Sequence, residues 1–132
     1  APRGARVRGR LWRVSDERSG AMARGRAVTD ARHHYGAVER LARTDPAALV
    51  ESMAGMRSSL LTFAAELLGR HAASDVAVPV LVHLTRHGDA IVREGALRGL
   101  RYHVADTRAV AALRAMRDDV VLALRLMATR AT

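Results

Sequence analysis

The clearest structural signal in the chain lies in residues 75–106, which read DVAVPVLVHLTRHGDAIVREGALRGLRYHVAD. The apolar residues before Gly88 follow helical spacing, which predicts a helix that begins near Ser74. Asp89 is placed to cap a second helix over about 90–103. Apolar positions recur in this second helix at intervals of four, four and three residues, at Val92, Ala96, Leu100 and His103. The stretch therefore predicts a helical hairpin.

The same pattern recurs on both sides of this hairpin. The aspartates Asp45, Asp75 and Asp106 are 30 and 31 residues apart, and each precedes a short helix, a tight turn and a second helix. Asp45 can cap its helix with Pro46 in the first turn, and Gly55 ends that helix. Strand signals are nearly absent. An internal repeat of this kind predicts an all-α fold, an α-solenoid of about three helical hairpins.

Further helices complete the predicted domain. Asp30 is placed to cap an initial helix that runs to about Arg43. Additional helices are expected over 57–70 and from Asp106 to Met116. The pair Asp118-Asp119 is expected to start the last helix, from Val120 to about Thr129.

The first 28 residues differ in composition from the rest. Residues 1–26 hold eight arginines against two acidic residues, and glycines interrupt them. We interpret 1–28 as a basic arm or linker with one short strand or turn near Val7–Val14, followed by a helical repeat domain over 29–132. We expect such an arm to contribute little to the stability of the domain.

Two tripeptides in the arm bear on nucleic-acid binding. They are Arg8-Gly9-Arg10 and Arg24-Gly25-Arg26. Both resemble the centre of a minor-groove hook, in which extended arginines enter narrow A·T tracts. The alternative interpretation is a solvated arm or an interdomain linker.

Residues 75–106 resemble a HEAT repeat of the short bacterial type. The matching positions are a proline in the first helix, an aspartate in the turn, a Val-Arg pair that starts the second helix and two packing positions: Pro79, Asp89, Val92-Arg93, Ala96 and Leu100. The resemblance implies that Asp89 and Arg93 belong to a polar ladder between neighbouring repeats. The small residues Gly95 and Gly99 would let a neighbouring helix approach closely.

The resemblance covers about residues 45–130. The hairpin that follows Asp45 has no turn aspartate before its second helix, and in the last hairpin Leu122 stands where the arginine is expected. HEAT repeats are protein-binding scaffolds as a family, and bacterial relatives include bilin lyases and DNA-base glycosylases. The glycosylase branch needs an aromatic-lined cleft, and Tyr102 is the only aromatic residue of the clearest repeat. The resemblance therefore implies an interaction scaffold.

Composition excludes several classes of function. The chain has 132 residues, the length of one domain, and all 22 of its basic residues are arginine, which gives a formal net charge of +9. Cysteine is absent, which excludes disulfide scaffolds, thiolate zinc sites and cysteine nucleophiles. The four aromatic residues are too scattered to form a base-stacking platform. No apolar run approaches the ~20 residues of a membrane span, so we expect a cytoplasmic protein.

The histidines offer one candidate metal pair. His83 and His87 lie at i,i+4 on one helix, a spacing that can hold a divalent cation, but no carboxylate accompanies them. Solvated histidines near the end of a helix are the simpler interpretation. His33-His34 face different directions and are expected at the surface or in packing. His103 lies on the apolar stripe, where we expect a hydrogen bond to the backbone.

Other potential catalytic groups have structural explanations. Ser58 and Ser59 stand at a predicted helix start without a nucleophile-elbow motif. Asp118 and Asp119 are consecutive, so their carboxylates do not converge, and helix capping explains them. We therefore expect no catalytic residues, no cofactor and no metal site.

The charge pattern favours an interaction module. We expect an acidic partner protein to bind along the second helices of the hairpins, through Arg57, Arg98, Arg101 and Arg125. The alternative is a nucleic-acid-binding scaffold that uses this ridge together with the arm residues Arg8, Arg10, Arg24 and Arg26.

The last helix predicts a further contact surface. Val120, Leu124 and Met127 form one stripe that can pack on the preceding hairpin. The remaining large apolar residues of this helix then point elsewhere: Val121, Leu122 and Leu126. Because exposed leucines forgo burial, we expect a continuing chain, a bound partner or a second subunit, most simply a homodimer through this helix.

Overall fold

The computed structural model describes the backbone from Pro2 onward and the side chains from Glu17 onward. Eight α-helices succeed one another along this part of the chain: α1 Pro2–Ala31, α2 Tyr35–Thr44, α3 Pro46–Met53, α4 Ser58–His71, α5 Ser74–Leu84, α6 Ala90–Leu100, α7 Thr107–Ala115 and α8 Leu122–Ala131. Short 3-10 turns over Arg101–His103 and Met116–Asp118 follow α6 and α7. The described residues contain no strand, and the predicted all-α class is confirmed.

The helices pack in two layers. Consecutive helices pair as α1–α2, α3–α4, α5–α6 and α7–α8. The even-numbered helices contact one another in chain order and form the even layer, and the odd-numbered helices likewise form the odd layer. The core lies between the layers, where the largest fully buried side chains include Leu49, Leu60, Leu68, Leu81, Leu97, Leu100 and Leu113. None of the described helices has the length and apolar character needed to cross a bilayer.

Three aspartates begin helices as N-caps. The Asp45 carboxylate accepts the backbone N–H three residues on at 3.1 Å, with Pro46 in the first turn of α3. Asp89 and Asp106 each accept the N–H two residues on, at 3.0 and 2.9 Å. These predictions are confirmed, whereas Asp75 lies inside the first turn of α5, whose cap position is Ala73. Capping carboxylates satisfy amides that the first turn leaves without partners.

The first helix departs from the prediction. Val7–Val14, where a short strand or turn was expected, lies within the helical span of α1. Asp30, expected to start a helix, stands in the last turn of α1, and α2 begins at Tyr35. Arginine is a good helix former, so a basic stretch with isolated glycines is compatible with a helix. Val28 is buried in the core, so the expected boundary at residue 28 falls inside a packed element.

The last helix also starts later than expected. The pair Asp118-Asp119 precedes it, but α8 begins at Leu122 after the cap residue Val121. The Asp119 carboxylate accepts the Val121 N–H at 2.9 Å. Asp119 thus shapes the turn before the helix, and Val120 stands outside the helix with 87% of its surface exposed. The expectation that Val120 packs on the preceding hairpin is wrong.

The helices of the even layer recur with a fixed period. The cap residues of α4, α6 and α8 are Arg57, Asp89 and Val121, each 32 residues after the last. Arg93 and Arg125 stand at the same offset from their caps, four residues on. The residue equivalent to Arg93 in the last hairpin is therefore Arg125, and not Leu122, the first residue of α8, where the arginine was expected.

The two arginines at this offset make the same backbone contact. The Arg93 guanidinium donates to the carbonyl oxygen of His87 at 2.9 Å. The Arg125 guanidinium donates to the carbonyl oxygen of Asp119 at 3.0 Å. Leu122, which stands where the sequence pattern expects this arginine, is 58% exposed. This common backbone contact, made four residues after the cap in both helices, shows that Arg93 and Arg125 are equivalent. An alignment of the turn aspartates does not show this equivalence.

Close packing joins α4 to α6. A Cβ added at Gly99 would lie 2.6 Å from the carbonyl oxygen of Ala65, a distance that real side chains do not adopt. Thr62 donates its hydroxyl to the carbonyl oxygen of Ile91 at 2.7 Å, beside Gly95. The expectation that small residues in α6 allow close approach is confirmed. The two helices run parallel, because the amino-terminal half of α4 meets the start of α6 and the carboxyl-terminal halves meet each other.

Candidate interaction surface

The carboxyl-terminal ends of α4, α6 and α8 lie at one edge of the even layer. Gly69, near the end of α4, packs against Gly99, near the end of α6. Met127 in the second half of α8 shares a surface with Tyr102, just after α6. Parallel neighbours in a layer bring equivalent ends together, so side chains from these three ends form one surface.

A concave surface of about 480 Å³ occupies this edge, and five side chains line it: Glu66, Arg98, Arg101, Tyr102 and Met127. Tyr102 exposes 54% of its surface there. Arg101 is also exposed, since it lies in the 3-10 turn that ends α6. An exposed aromatic ring beside arginine is the combination enriched at protein interfaces. The sequence placed Arg98 and Arg101 on this face but not Tyr102 or Met127.

The two arginines of the concave surface differ in their partners. Arg98 donates to Glu94 at 2.8 Å and lies 4.0 Å from Glu66. Both acidic residues of this region are therefore occupied by the same guanidinium. Arg101 forms no salt bridge with any of the residues whose side chains are described. Its charge is available to a ligand.

Arg57 lies away from the concave surface. It is the residue before α4, at the opposite end of that helix from Arg101. Its guanidinium carbon lies 5.7 Å from the centre of the Tyr35 ring, and that ring packs edge-on against Phe63 at 5.0 Å. A cation over an aromatic face is weakly stabilising at an exposed position. Arg57 and Arg101, two of the four arginines predicted to bind a partner, therefore lie at opposite ends of the even layer.

Arg125 is the fourth predicted ridge residue, and its side chain is used internally. It is half-buried and donates to the carbonyl oxygen of Asp119. Only Arg98 and Arg101 of the predicted set come together. Contacts between residues distant in sequence determine which of these arginines come together. The spacing of the arginines in the sequence does not indicate those contacts.

Helix α8 presents an apolar outer face. Leu122 and Leu126 are 58% and 50% exposed, whereas Leu124 is 3% exposed and packs inward. Val121 is half-buried at the cap. Arg130 follows Leu126 by one helical turn and is exposed. Leu122 and Leu126 of the predicted oligomer surface are therefore exposed on the outer side of this helix, as expected.

The arginines of the expected arm have separate environments. Arg24 donates to the Asp45 carboxylate at 2.9 Å and to both oxygens of Glu51 at 2.9 and 3.0 Å. The Arg24 guanidinium lowers the pKa of Asp45 below its usual range. Arg26 is exposed. The side chains of Arg8 and Arg10 lie outside the described residues, while their backbone belongs to α1.

This arrangement corrects the hook interpretation of the first helix. A minor-groove hook needs extended backbone, and both arginine-glycine-arginine tripeptides lie within the helical span of α1. The double contact of Arg24 ties α1 to the start and the end of α3. The end of the predicted arm is consequently docked on the domain.

A buried ion pair connects the last two hairpins. The Arg93 guanidinium donates to both oxygens of Asp119, at 2.9 and 3.2 Å, and to the carbonyl oxygens of His87 and Gly88. The side chains of Arg93 and Asp119 are 12% and 8% exposed. Burial alone would raise the pKa of Asp119, but Arg93 and the Val121 N–H outweigh it and lower that pKa overall.

The preceding hairpin is joined in a similar way. A hydrogen bond from Ser58, at the start of α4, is the main cause that lowers the pKa of Asp89 below its usual range. The contact expected of Arg93 with a neighbouring hairpin is present in its bonds to Asp119. Ser58 has a structural role here, which agrees with its location at a helix start.

His103 is buried between the layers. Its Nε2 donates to the carbonyl oxygen of Gly69 at 2.7 Å, and its Nδ1 accepts the Ser74 hydroxyl at 2.7 Å. The predicted backbone hydrogen bond is confirmed. A serine beside a histidine is also the core of a hydrolytic dyad, but here the second ring nitrogen meets a carbonyl and no carboxylate. The side chain is 8% exposed, so it stabilises the junction of α4, α5 and α6.

The other histidines and the paired aspartates do not converge. His87 accepts the Asp89 backbone N–H on its Nδ1 at 3.0 Å, and His83 is exposed. His33 and His34 stand in the turn before α2, with ring centres 6.4 Å apart. Among the side chains that the structure describes, no three His, Asp or Glu residues are grouped closely enough to hold a metal ion.

A second concave surface lies in the odd layer, between α5 and α7. Its volume is about 490 Å³, and apolar side chains including Val82, Ala111 and Met116 form its floor. Arg108 on its rim is held by Asp106, whose pKa this arginine lowers to about 2. Sequence reasoning did not find this surface, because its lining comes from helices about 30 residues apart.

The fold and the surface together define a class of protein. It is an all-helical domain of eight packed helices that presents an arginine-lined concave surface with exposed aromatic and leucine side chains at one edge. No model of a known family, no curated protein and no solved structure matches the chain significantly.

Proposed function

We propose that the chain is a non-catalytic interaction module that binds an acidic partner protein through the even layer. In this proposal its hairpins form an α-solenoid of the HEAT type. The observation that carries the proposal is Arg101, an exposed cation that forms no salt bridge with the described side chains and lies beside the exposed Tyr102 ring.

The recurrence of the hairpins supports the solenoid part of the proposal. Three successive even helices begin at intervals of 32 residues, and each layer contacts itself in chain order. Each hairpin in a solenoid contacts mainly its neighbours. The ion pair between Arg93 and Asp119 is a contact of this kind.

The distribution of charge supports an acidic partner. The chain carries a formal net charge of +9, and Arg98 interacts both with Glu66, which lines the concave surface, and with Glu94. A ligand carboxylate at Arg101 would therefore meet a cation without displacing an internal partner. Charge-assisted hydrogen bonds of this kind are stronger than neutral ones and favour specificity.

The structural use of the polar groups supports a non-catalytic role. His103 is buried, and its two ring nitrogens bond the Ser74 hydroxyl and the carbonyl oxygen of Gly69. Asp89, Asp106 and Asp119 cap helices or pair with neighbouring residues. A catalytic acid or base needs a proton-transfer path to a bound substrate.

Nucleic-acid binding through the ridge and the first helix is the alternative. Arg24 is engaged by Asp45 and Glu51, which leaves fewer of its donors for a phosphate. Binding to phosphates would weaken linearly with the logarithm of salt concentration, by roughly 0.9 per phosphate neutralised on a duplex.

A peptide selection tests the proposal. The domain is used to select binders from a random peptide library, and the selected peptides are measured by fluorescence anisotropy. We expect enrichment of Asp and Glu, and at least a tenfold loss of affinity in Arg101→Glu. The matched control is Arg114→Glu, which makes the same charge change at an exposed position of α7.

Two outcomes would contradict the proposal. One is a set of selected peptides without acidic enrichment, or with equal losses in both variants. The other is tight binding of duplex DNA with a steep salt dependence that Arg101→Glu leaves unchanged. That second outcome would favour the nucleic-acid alternative.

A further inference from the structure

The outer face of α8 carries a stripe of two leucines and an arginine. Leu122, Leu126 and Arg130 follow one another at intervals of four residues, so they lie on one side of the helix. Leu124 and Ala128, on the opposite side, are buried. About half of each exposed leucine is therefore in contact with solvent, beside a cation.

This stripe adjoins the concave surface of the even layer. Met127 is half-buried and lines that concave surface together with Tyr102. Leu126 and Met127 are consecutive, and Arg130 lies about one turn beyond them toward the carboxyl-terminal end of α8. Apolar surface thus extends from Tyr102 across Met127 to the leucines of α8.

Two cations adjoin the apolar surface, both near the carboxyl-terminal ends of their helices. Arg101 lies on the side of the concave surface, and Arg130 lies at the end of the α8 stripe. Neither arginine forms a salt bridge with the residues whose side chains are described. The nearby acids Glu66 and Glu94 both interact with Arg98. The surface therefore combines exposed apolar side chains with two adjoining arginines.

We infer that this surface binds an amphipathic acidic helix of a partner protein. The inference rests on the proposed function, since it specifies the form of the acidic partner. Apolar side chains at i and i+4 of the bound helix would cover Leu126 and Met127, and its carboxylates would reach Arg101 and Arg130. Helix-in-groove recognition uses this spacing of anchors.

Charge complementarity selects this occupant over a second copy of the chain. A symmetric pair of α8 faces would bury Arg130 and its equivalent against apolar side chains, and no described carboxylate of this surface is free to balance them. An arginine that is buried without a carboxylate is unfavourable. An acidic helix instead supplies carboxylates to both arginines and covers the apolar side chains.

Two synthetic helical peptides of equal composition test the inference. Both are about 18 residues long, the length of five turns, and contain the same leucines and glutamates. In one the leucines recur at i,i+4 to form a stripe, and in the other their order is scrambled. Affinity for the full chain is measured by fluorescence anisotropy, and peptide helicity by circular dichroism.

We expect the striped peptide to bind at least tenfold more tightly than the scrambled one and to gain helicity on binding. Leu126→Gln should remove this preference. The matched control is Ile91→Gln, because Ile91 is 52% exposed on α6 and lies outside the surface. Arg101→Glu should weaken both peptides by similar factors.

The outcomes separate the inference from the proposed function. Equal binding of both peptides, lost in Arg101→Glu and unaffected by Leu126→Gln, would overturn the inference and leave the acidic partner in place. Failure of both peptides to bind would overturn both. Sedimentation of the protein alone at micromolar concentration, with a dimer that Leu126→Gln disperses, would assign the face to a second copy and overturn the inference.

Discussion

Replacing Arg93 with leucine should destabilise the domain far more than the same change at Arg98. Arg93 is 12% exposed and makes four hydrogen bonds, two of them to the Asp119 carboxylate. Arg93→Leu leaves Asp119 buried without its cation. Arg98 is 47% exposed and pairs with two half-exposed glutamates that water can solvate after the change.

The magnitude follows from burial. Removing one partner of a buried ion pair costs about 3–5 kcal/mol, because the other charge is left uncompensated. The residual exposure of Arg93 favours the lower end, so we expect a loss of about 3 kcal/mol in Arg93→Leu. Pairs as exposed as those of Arg98 contribute roughly 0.2–1 kcal/mol. With a urea dependence of about 1–3 kcal/mol per molar, the Arg93 variant should shift the unfolding midpoint by roughly 1–3 M.

Urea unfolding at two pH values provides the assay. The folded-state pKa of Asp119 lies below its ordinary value of 3.8, so its stabilising contribution is present above about pH 4 and is lost as the pH falls through the folded pKa. The difference in urea midpoint between wild type and Arg93→Leu should therefore be large at pH 7 and smaller near pH 3. The double variant Arg93→Leu with Asp119→Asn should be less destabilised than the sum of the single changes. Equal midpoints for Arg93→Leu and Arg98→Leu at pH 7 would refute the reasoning.

Close packing, acid stability and the first helix give three more expected outcomes. Gly99→Ala should lower the thermal midpoint, because its Cβ would lie 2.6 Å from a carbonyl oxygen of α4. Gly36→Ala is the control: its Cβ would have nothing within 4 Å, so it should stabilise the domain by about 0.5–1 kcal/mol. Equal shifts of the thermal midpoint in the two variants would contradict the close packing of α4 and α6. The pKa of Asp106 is lowered to about 2 by Arg108, so wild-type stability should fall between about pH 4 and pH 2, and Asp106→Asn should reduce that fall in urea midpoints. Deleting residues 1–28 should lower the thermal midpoint, because the deletion removes Arg24 and the buried Val28. An unchanged midpoint would mean that residues 1–28 form an arm that does not stabilise the domain.

The helical class and most helix starts could be predicted from local sequence. Asp45, Asp89 and Asp106 cap helices as expected, because a capping carboxylate binds amides only two or three residues away. His103 was recognised as buried from its place on the stripe of α6. These features depend on short-range geometry that the order of residues determines.

The misassigned positions depend on long-range contacts. Local sequence does not show that Arg125 is the equivalent of Arg93, because the turn aspartates Asp89 and Asp119 look alike in sequence but occupy different places before their helices. Local sequence predicts an arm for the first helix, because its anchors Arg24 and Val28 contact elements far along the chain. Neither contact leaves a periodic signal.

The candidate surface shows why an arginine-rich sequence conceals its binding residues. All 22 basic residues are chemically the same, so which of them is available depends on where the acidic residues fold. Arg24 and Arg93 are engaged by carboxylates more than 20 residues away, and Arg98 is engaged by Glu66 on a neighbouring helix. Arg101 differs from them only in the folded structure. There it lies beside the exposed Tyr102 ring, while Glu66 and Glu94 both interact with Arg98. The functional argument therefore depends on which arginines the fold leaves unpaired, and the excess of positive charge by itself does not identify them.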